Sequence, residues 1–193
     1  MDRIDNYKEI RAVYDDDIIR VYQAYSPVIA DEAVKKGTFG EHFRMGRMTW
    51  IKPSFLWMMF RCGWATKKDQ ERVLGIDIRR EGFDHALQHS VLSTYKAETG
   101  LSHEQWQEMV KNSDVRVQWD PEKDIYGNDL PYRSIQIGLR GNAVYEYVNS
   151  WIVNIEDITD HVKQLDKMRQ GGSDISELLP KERVYPLEPL AGW

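Results

Sequence analysis

Pro53 stands inside the most distinctive stretch of this chain and decides what that stretch can become. Trp50, Trp57 and Trp64 recur every seven residues, near one side of any continuous helix. A proline in a helix interior removes a backbone donor and clashes with the preceding turn, so no single helix carries all three. The stretch splits there. Ser54 is a good N-cap, Phe55–Cys62 reads as a short, almost wholly apolar helix, and Gly63 can close it. Only Trp57 and Trp64 can then share a stripe, and packing is the expected fate of both.

The same alternation of short elements runs along the whole chain. Ile18–Tyr25 (IIRVYQAY) has the period and β-branched content of a strand, and Ser26-Pro27 suits the cap and first position of a helix over Val28–Lys36, stopped by Gly37. Arg72–Arg79 reads as a strand and Glu81–Leu92 as a helix burying Phe83, Ala86, Leu87 and Val91. Ser102 followed by Gln105 is a capping-box pattern for a helix over His103–Lys111. Val115–Trp119 and Ser134–Leu139 read as strands, Gly141–Ser150 as a helix and Trp151–Ile155 as a last strand. The elements lack a regular βαβ rhythm, and no glycine-rich phosphate loop follows a strand. The expectation is a single α+β domain over residues 1–170, a mixed or antiparallel sheet with helices packed around it. Residues 171–193, with Gly171-Gly172, Pro180, Pro186 and Pro189, read as an extended segment packed on that domain.

Charge is distributed unevenly. From His42 to Lys68 there are six basic residues (Arg44, Arg47, Lys52, Arg61, Lys67, Lys68) and no Asp or Glu, so these 27 residues carry +6 while the chain as a whole carries −5. Phe43, Trp50, Phe55, Trp57, Phe60 and Trp64 are interleaved with the cations, as are Met45, Met48, Met58 and Met59. Cations beside aromatic faces suit a phosphate-bearing ligand, because the charges meet phosphate and a ring can stack on a base. An acidic chain with one local basic block favours a small ligand or a nucleic-acid end over a long duplex. The lone Cys62 excludes an internal disulfide and a multi-cysteine zinc site, and within its apolar setting it reads as a small buried hydrophobe. MDRIDNYKEI is no secretory leader and the longest uninterrupted apolar run, Phe55–Phe60, is too short to span a membrane, so a cytoplasmic protein without membrane partners is expected.

Within MTWIKPS (Met48–Ser54), the first N–H groups of the helix after Pro53 could hold a phosphate together with the Ser54 hydroxyl and Lys52, with Trp50 beside them; Arg61, two turns on, lies on the same face. The plain alternative is that Lys52 snorkels outward and Ser54 merely caps. Arg20, Tyr22 and Gln23 form a second group on the first long strand. A covered Arg20 needs an anionic partner, either Asp77, Asp120 or a ligand. VQWDPE (Val117–Glu122) and PYRSIQ (Pro131–Gln136) are polar strand ends, adding Arg133 and Gln136, with solvent-facing sheet residues as the plain reading. His85 and His89 are an i, i+4 pair without a third ligand or an HExxH pattern, so they read as helix-surface histidines and no metal is expected. No Ser-His-Asp or Cys-His signature is present.

RAVYDDDIIRVYQAYSPVIADEAV (Arg11–Val34), RMTWIKPSFLWMMFRCGWATK (Arg47–Lys67), ERVLGIDIRREGF (Glu71–Phe83), VRVQWDPE, PYRSIQIGLRG (Pro131–Gly141) and WIVNIEDIT (Trp151–Thr159) together resemble the family catalogued as domain of unknown function 4291. The resemblance spans nearly the whole chain and implies a single-domain soluble protein, with no catalytic residues or cofactor attached to it. A looser likeness, of RVYQAYSP leading into a helix that ends in Lys-Gly, is to ADP-ribosyltransferase-like domains. It implies an NAD-gripping position at Arg20 or Gln23 and places Gln136 where those domains commonly carry Glu, a departure that separates binding of NAD from transferase catalysis. Two functions are therefore expected to compete. One is a nucleotide-using enzyme binding its ligand through Arg20, Tyr22, Trp50, Lys52, Ser54, Arg61, Arg133 and Gln136, with NAD a candidate. The other is a non-catalytic domain whose basic, aromatic and methionine-rich surface meets an acidic partner.

Overall fold

A computed structural model describes residues 7–186; the first part of the N-terminal stretch and Pro189 of the tail lie outside these. The fold is a single α+β domain built on two main sheets. The larger is mixed, in the order β1 (Tyr7–Lys8), β8 (Asp129–Leu139), β7 (Val115–Lys123), β6 (Ser90–Leu92), with β4 (Thr49–Ile51) also paired to β8. The smaller is antiparallel, β3 (Ile18–Tyr25), β5 (Arg72–Arg79), β9 (Ile152–Asp157). A short antiparallel pair, β2 (Arg11–Ala12) with β10 (Arg183–Val184), ties the C-terminal segment back to the start of the described chain. The backbone N–H of Tyr22 donates to the Lys52 carbonyl at 2.7 Å, and this bridge joins the two main sheets next to Pro53.

Strand alternation sorts the core in two. Ile19, Val21, Leu74, Ile76 and Ile78 of β3 and β5 pack in one cluster with Val117, Ile135 and Ile137 of the larger sheet. Tyr22 and Val73 face a second cluster, formed with Phe55, Met58, Met59 and Cys62 of α2 (Phe55–Cys62) and with Val162 and Leu165 of α6 (Thr159–Gln170). Each such side chain withdrawn from water contributes about 1.5–3 kcal/mol, and Met59→Ala at a fully buried position would cost about 2–5 kcal/mol. Cys62 is buried and reduced. Trp57 and Trp64 are both buried, Trp64 in the turn beyond the helix.

Several elements differ from the sequence expectation. The helix expected over Glu81–Leu92 is α3 (Arg80–Gln88), and Ser90–Leu92 instead forms β6, because its backbone pairs in parallel with Val115–Val117; Val91 is buried from a strand. The helix expected over Gly141–Ser150 ends as α5 (Gly141–Glu146) and widens into a π-helical turn, Tyr147–Trp151, before β9. Ser26 occupies the cap position of α1 (Pro27–Lys36) but its hydroxyl makes no capping bond. By contrast, α4 (His103–Asn112) carries both bonds of the Ser102/Gln105 capping box. The β7–β8 hairpin runs further than expected, and α6 was not anticipated at all. Beyond α6, Ile175 and Tyr185 of the C-terminal segment are buried.

Candidate functional site

A cleft of about 530 Å³ opens where the end of β3, the loop before β4 and the outer face of α2 meet. Lys52 lies on its floor, and Arg44, Arg47 and Arg61 reach it from its rim together with one acid, Asp69. Tyr25, Phe43 and Trp50 give it aromatic walls. Among the described residues the side chains of Arg44, Arg47 and Arg61 have no carboxylate partner. The local run of cations is brought to one concavity because the loop, β4 and α2 are consecutive in the chain and fold around Pro53. Lys67 and Lys68, in the same run, do not line it.

Lys52 is the unusual member. Its residue exposure is only 6%, no carboxylate among the described residues lies within ion-pairing distance, and its amine donates to the Trp50 carbonyl at 3.1 Å, with the Trp57 ring centroid 5.6 Å away. It therefore does not snorkel into solvent. Burial, reinforced by the Arg61 charge, lowers its pKa to about 7, with Asp120 opposing. Fully buried lysines without a partner are rare, and such perturbed groups concentrate at functional sites.

A satisfied polar network supports the floor. Gln23 donates to the Thr49 hydroxyl at 2.7 Å, to the Tyr25 hydroxyl at 2.9 Å and to the Trp50 carbonyl at 3.2 Å, and its carbonyl accepts from the Tyr147 hydroxyl at 2.7 Å. Burial raises the pKa of both Tyr25 and Tyr147. A network with these bonds made fixes side chains in place, so the cleft is preorganised. Gly138 lets Trp50 lie close to the sheet: a Cβ there would come within 3.0 Å of the indole and 2.7 Å of the Met48 sulfur.

The other residues singled out from the sequence are placed elsewhere. Ser54 is buried away from the cleft lining; its hydroxyl accepts from Trp57 N–H at 3.1 Å. The acceptor expected at the start of α2 is supplied by the protein itself, since a Glu182 carboxyl oxygen accepts from Phe55 N–H at 2.7 Å. Burial pushes Glu182 up to about 8, and Glu122, also buried beside Ser54, is raised for the same reason. Arg20 does not point at the cleft: it pairs with Asp77 at 2.7 Å and Glu156 at 3.0 Å. Tyr22 is buried with its hydroxyl lacking a hydrogen-bond partner among the described residues, and lines no cavity described here. Gln136 donates to Asp120 at 2.7 Å, as Gln118 does to the other oxygen at 2.8 Å. Arg133 lines a second hollow of about 700 Å³ with Lys8, Lys96 and Asp120. So Lys52, Arg61 and Trp50 come together, whereas Arg20, Tyr22, Ser54, Arg133 and Gln136 do not join them. Of the two first-strand candidates for a ligand-gripping position, Gln23 lines the cleft.

The His85 and His89 rings lie 4.1 Å apart, tilted by 36°, at the C-terminal end of α3. Among the described residues no group of three His, Cys, Asp or Glu side chains is placed to hold a metal ion, and no helix is long and apolar enough to cross a membrane.

The family model described as "Domain of unknown function (DUF4291)" matches residues 9–185. No curated protein matches the chain.

Proposed function

We propose that this chain, which belongs to the family of that domain of unknown function, binds a phosphate-bearing ligand of nucleotide type in the cleft floored by Lys52. One observation carries the reading: Arg44, Arg47 and Arg61 meet at one aromatic-walled concavity lined by a single acid, Asp69, and among the described residues none of the three is ion-paired to a carboxylate. Guanidinium groups offer forked donors to phosphate oxygens, and Trp50 or Tyr25 offers a flat apolar face to a base or ribose. The volume of the cleft suits a nucleotide. NAD and ADP-ribose are candidate ligands, with the Gln23 amide and Lys52 amine available beneath the rim. A cytoplasmic setting belongs to the same reading, since Cys62 is a free thiol.

Calorimetric titration with pyrophosphate, ATP, NAD and ADP-ribose at low and moderate salt tests it. Binding that weakens with salt, and that falls about 10–100-fold in Arg61→Gln or Arg44→Gln, supports the proposal. Absence of binding by all four at low salt overturns it. Capture of an acidic protein by the same arginines, without small-ligand binding, would favour an interaction domain.

A further inference from the structure

We propose that Lys52 is a nucleophile that condenses with the carbonyl group of a phosphorylated aldehyde or ketone held in the cleft, forming an imine; this rests on the phosphate-binding reading above. The geometry divides the cleft by height. The permanently charged groups, Arg44, Arg47 and Arg61, are exposed at the rim, where a phosphate would meet them, and the single amine lies beneath. Among the described residues the Lys52 amine has one acceptor, the Trp50 carbonyl, and no carboxylate within ion-pairing distance. The Trp57 ring lies on one side of it, and its own backbone carbonyl is held by Tyr22. A charged ammonium in that position is poorly solvated and has no carboxylate counter-ion among the described residues, whereas a neutral amine fits with one N–H bonded and its lone pair available.

The wider setting agrees. After burial, the Arg61 charge is what disfavours a positive charge on Lys52, and Asp120, which favours one, is itself occupied by the Gln118 and Gln136 amides. With its pKa near 7, about half of the amine is neutral at neutral pH, against fewer than about one in a thousand for an ordinary lysine. Desolvation and an adjacent cation are the two physical means by which a lysine is made reactive toward carbonyls.

The step balances without an outside redox partner. The nitrogen lone pair forms a bond to the carbonyl carbon as the C=O π pair moves to oxygen, and a proton passes from nitrogen to that oxygen to give a carbinolamine. The C–O bond then breaks, oxygen leaves as water with the second amine proton, and a C=N bond remains.

The test is reductive trapping on the intact protein. Glycolaldehyde phosphate or glyceraldehyde 3-phosphate is added at pH 7 with cyanoborohydride, and unphosphorylated glycolaldehyde serves as the comparison. The expected result is one adduct per chain, mapped by peptide mass spectrometry to Lys52. It should form at least about tenfold faster than adducts at the exposed Lys67 and Lys68, and faster with the phosphorylated aldehydes. Excess pyrophosphate should slow it, and Lys52→Met, which keeps a side chain of similar length, should abolish it. Adducts spread over surface lysines with no preference for Lys52 in the unaltered protein overturn the inference, whatever the variant does. If that happens while calorimetry still detects arginine-dependent binding of pyrophosphate, the binding reading stands and the covalent step alone is lost.

Discussion

The Arg20 guanidinium lies along the carboxylate of Asp77, its directly opposed neighbour on the next strand, with Nε and Nη2 at 2.7 and 2.9 Å from the two oxygens. Glu156 adds a third, more exposed contact to Nη1. The pair is part-buried, so removing one partner leaves a poorly solvated charge behind. Asp77→Asn is expected to cost about 1–3 kcal/mol, read as a lower urea midpoint, and Arg20→Met in the same chain should recover much of that loss. Independent, additive losses from the two changes would refute the coupling.

Lys52 gives stability a pH dependence of definite sign. Folded, the amine protonates only near 7; unfolded, it does so near its ordinary value above 10. Between those values the unfolded chain binds the extra proton, so stability rises with pH across that window, and the cost of Lys52 is complete below about 7. Lys52→Met should therefore be about 2–4 kcal/mol more stable than the unaltered protein near pH 7, with the difference shrinking toward pH 10. Denaturant melts at three pH values would measure it.

Glu182 acts in the opposite direction. Its folded pKa is raised to about 8, so from roughly 4.5 to 8 the unfolded chain sheds a proton that the folded protein retains, and stability falls as pH rises. Glu182→Gln keeps a carbonyl oxygen for Phe55 N–H. We expect it to gain about 1–3 kcal/mol at pH 8 and nothing at pH 4, as read from thermal or urea unfolding.

Gly82, in α3, packs against the Trp151 indole, and a Cβ there would fall 2.5 to 2.7 Å from three of its ring atoms. The indole is rigid and belongs to the π-helical turn, so it cannot simply swing aside. Gly82→Ala is predicted to destabilise by about 1–3 kcal/mol and to shift tryptophan emission, despite the better helix propensity of alanine.

How far the sequence reaches depends on how local each interaction is. β3, α2 and α4 follow from alternation, Ser54 with Pro53, and the Ser102/Gln105 box, all decided within a few residues. The split at His89 was not legible, because Ser90–Leu92 becomes a strand only where β7 offers its edge. The regular spacing of Val162 and Leu165 was a signal for α6 that could have been used. The rim of the cleft was legible for the same local reason: its cations are neighbours in the chain. Its supports were not. Tyr147 reaches Gln23 across 124 residues, and Glu182 reaches Phe55 across 127. Nothing in either local sequence announces the meeting. Arg20 is instructive in the other direction, since a cation on a strand face needs an anion and only the strand register identifies Asp77 as that anion.

The Glu182 carboxyl group occupies the backbone donor that opens α2. A solute phosphate arriving at that helix end finds Phe55 N–H already taken by the C-terminal segment. The positive end of the helix is thus spent on fastening the tail. Shortening the chain to remove Glu182 would free Phe55 N–H and loosen the strap in the same stroke.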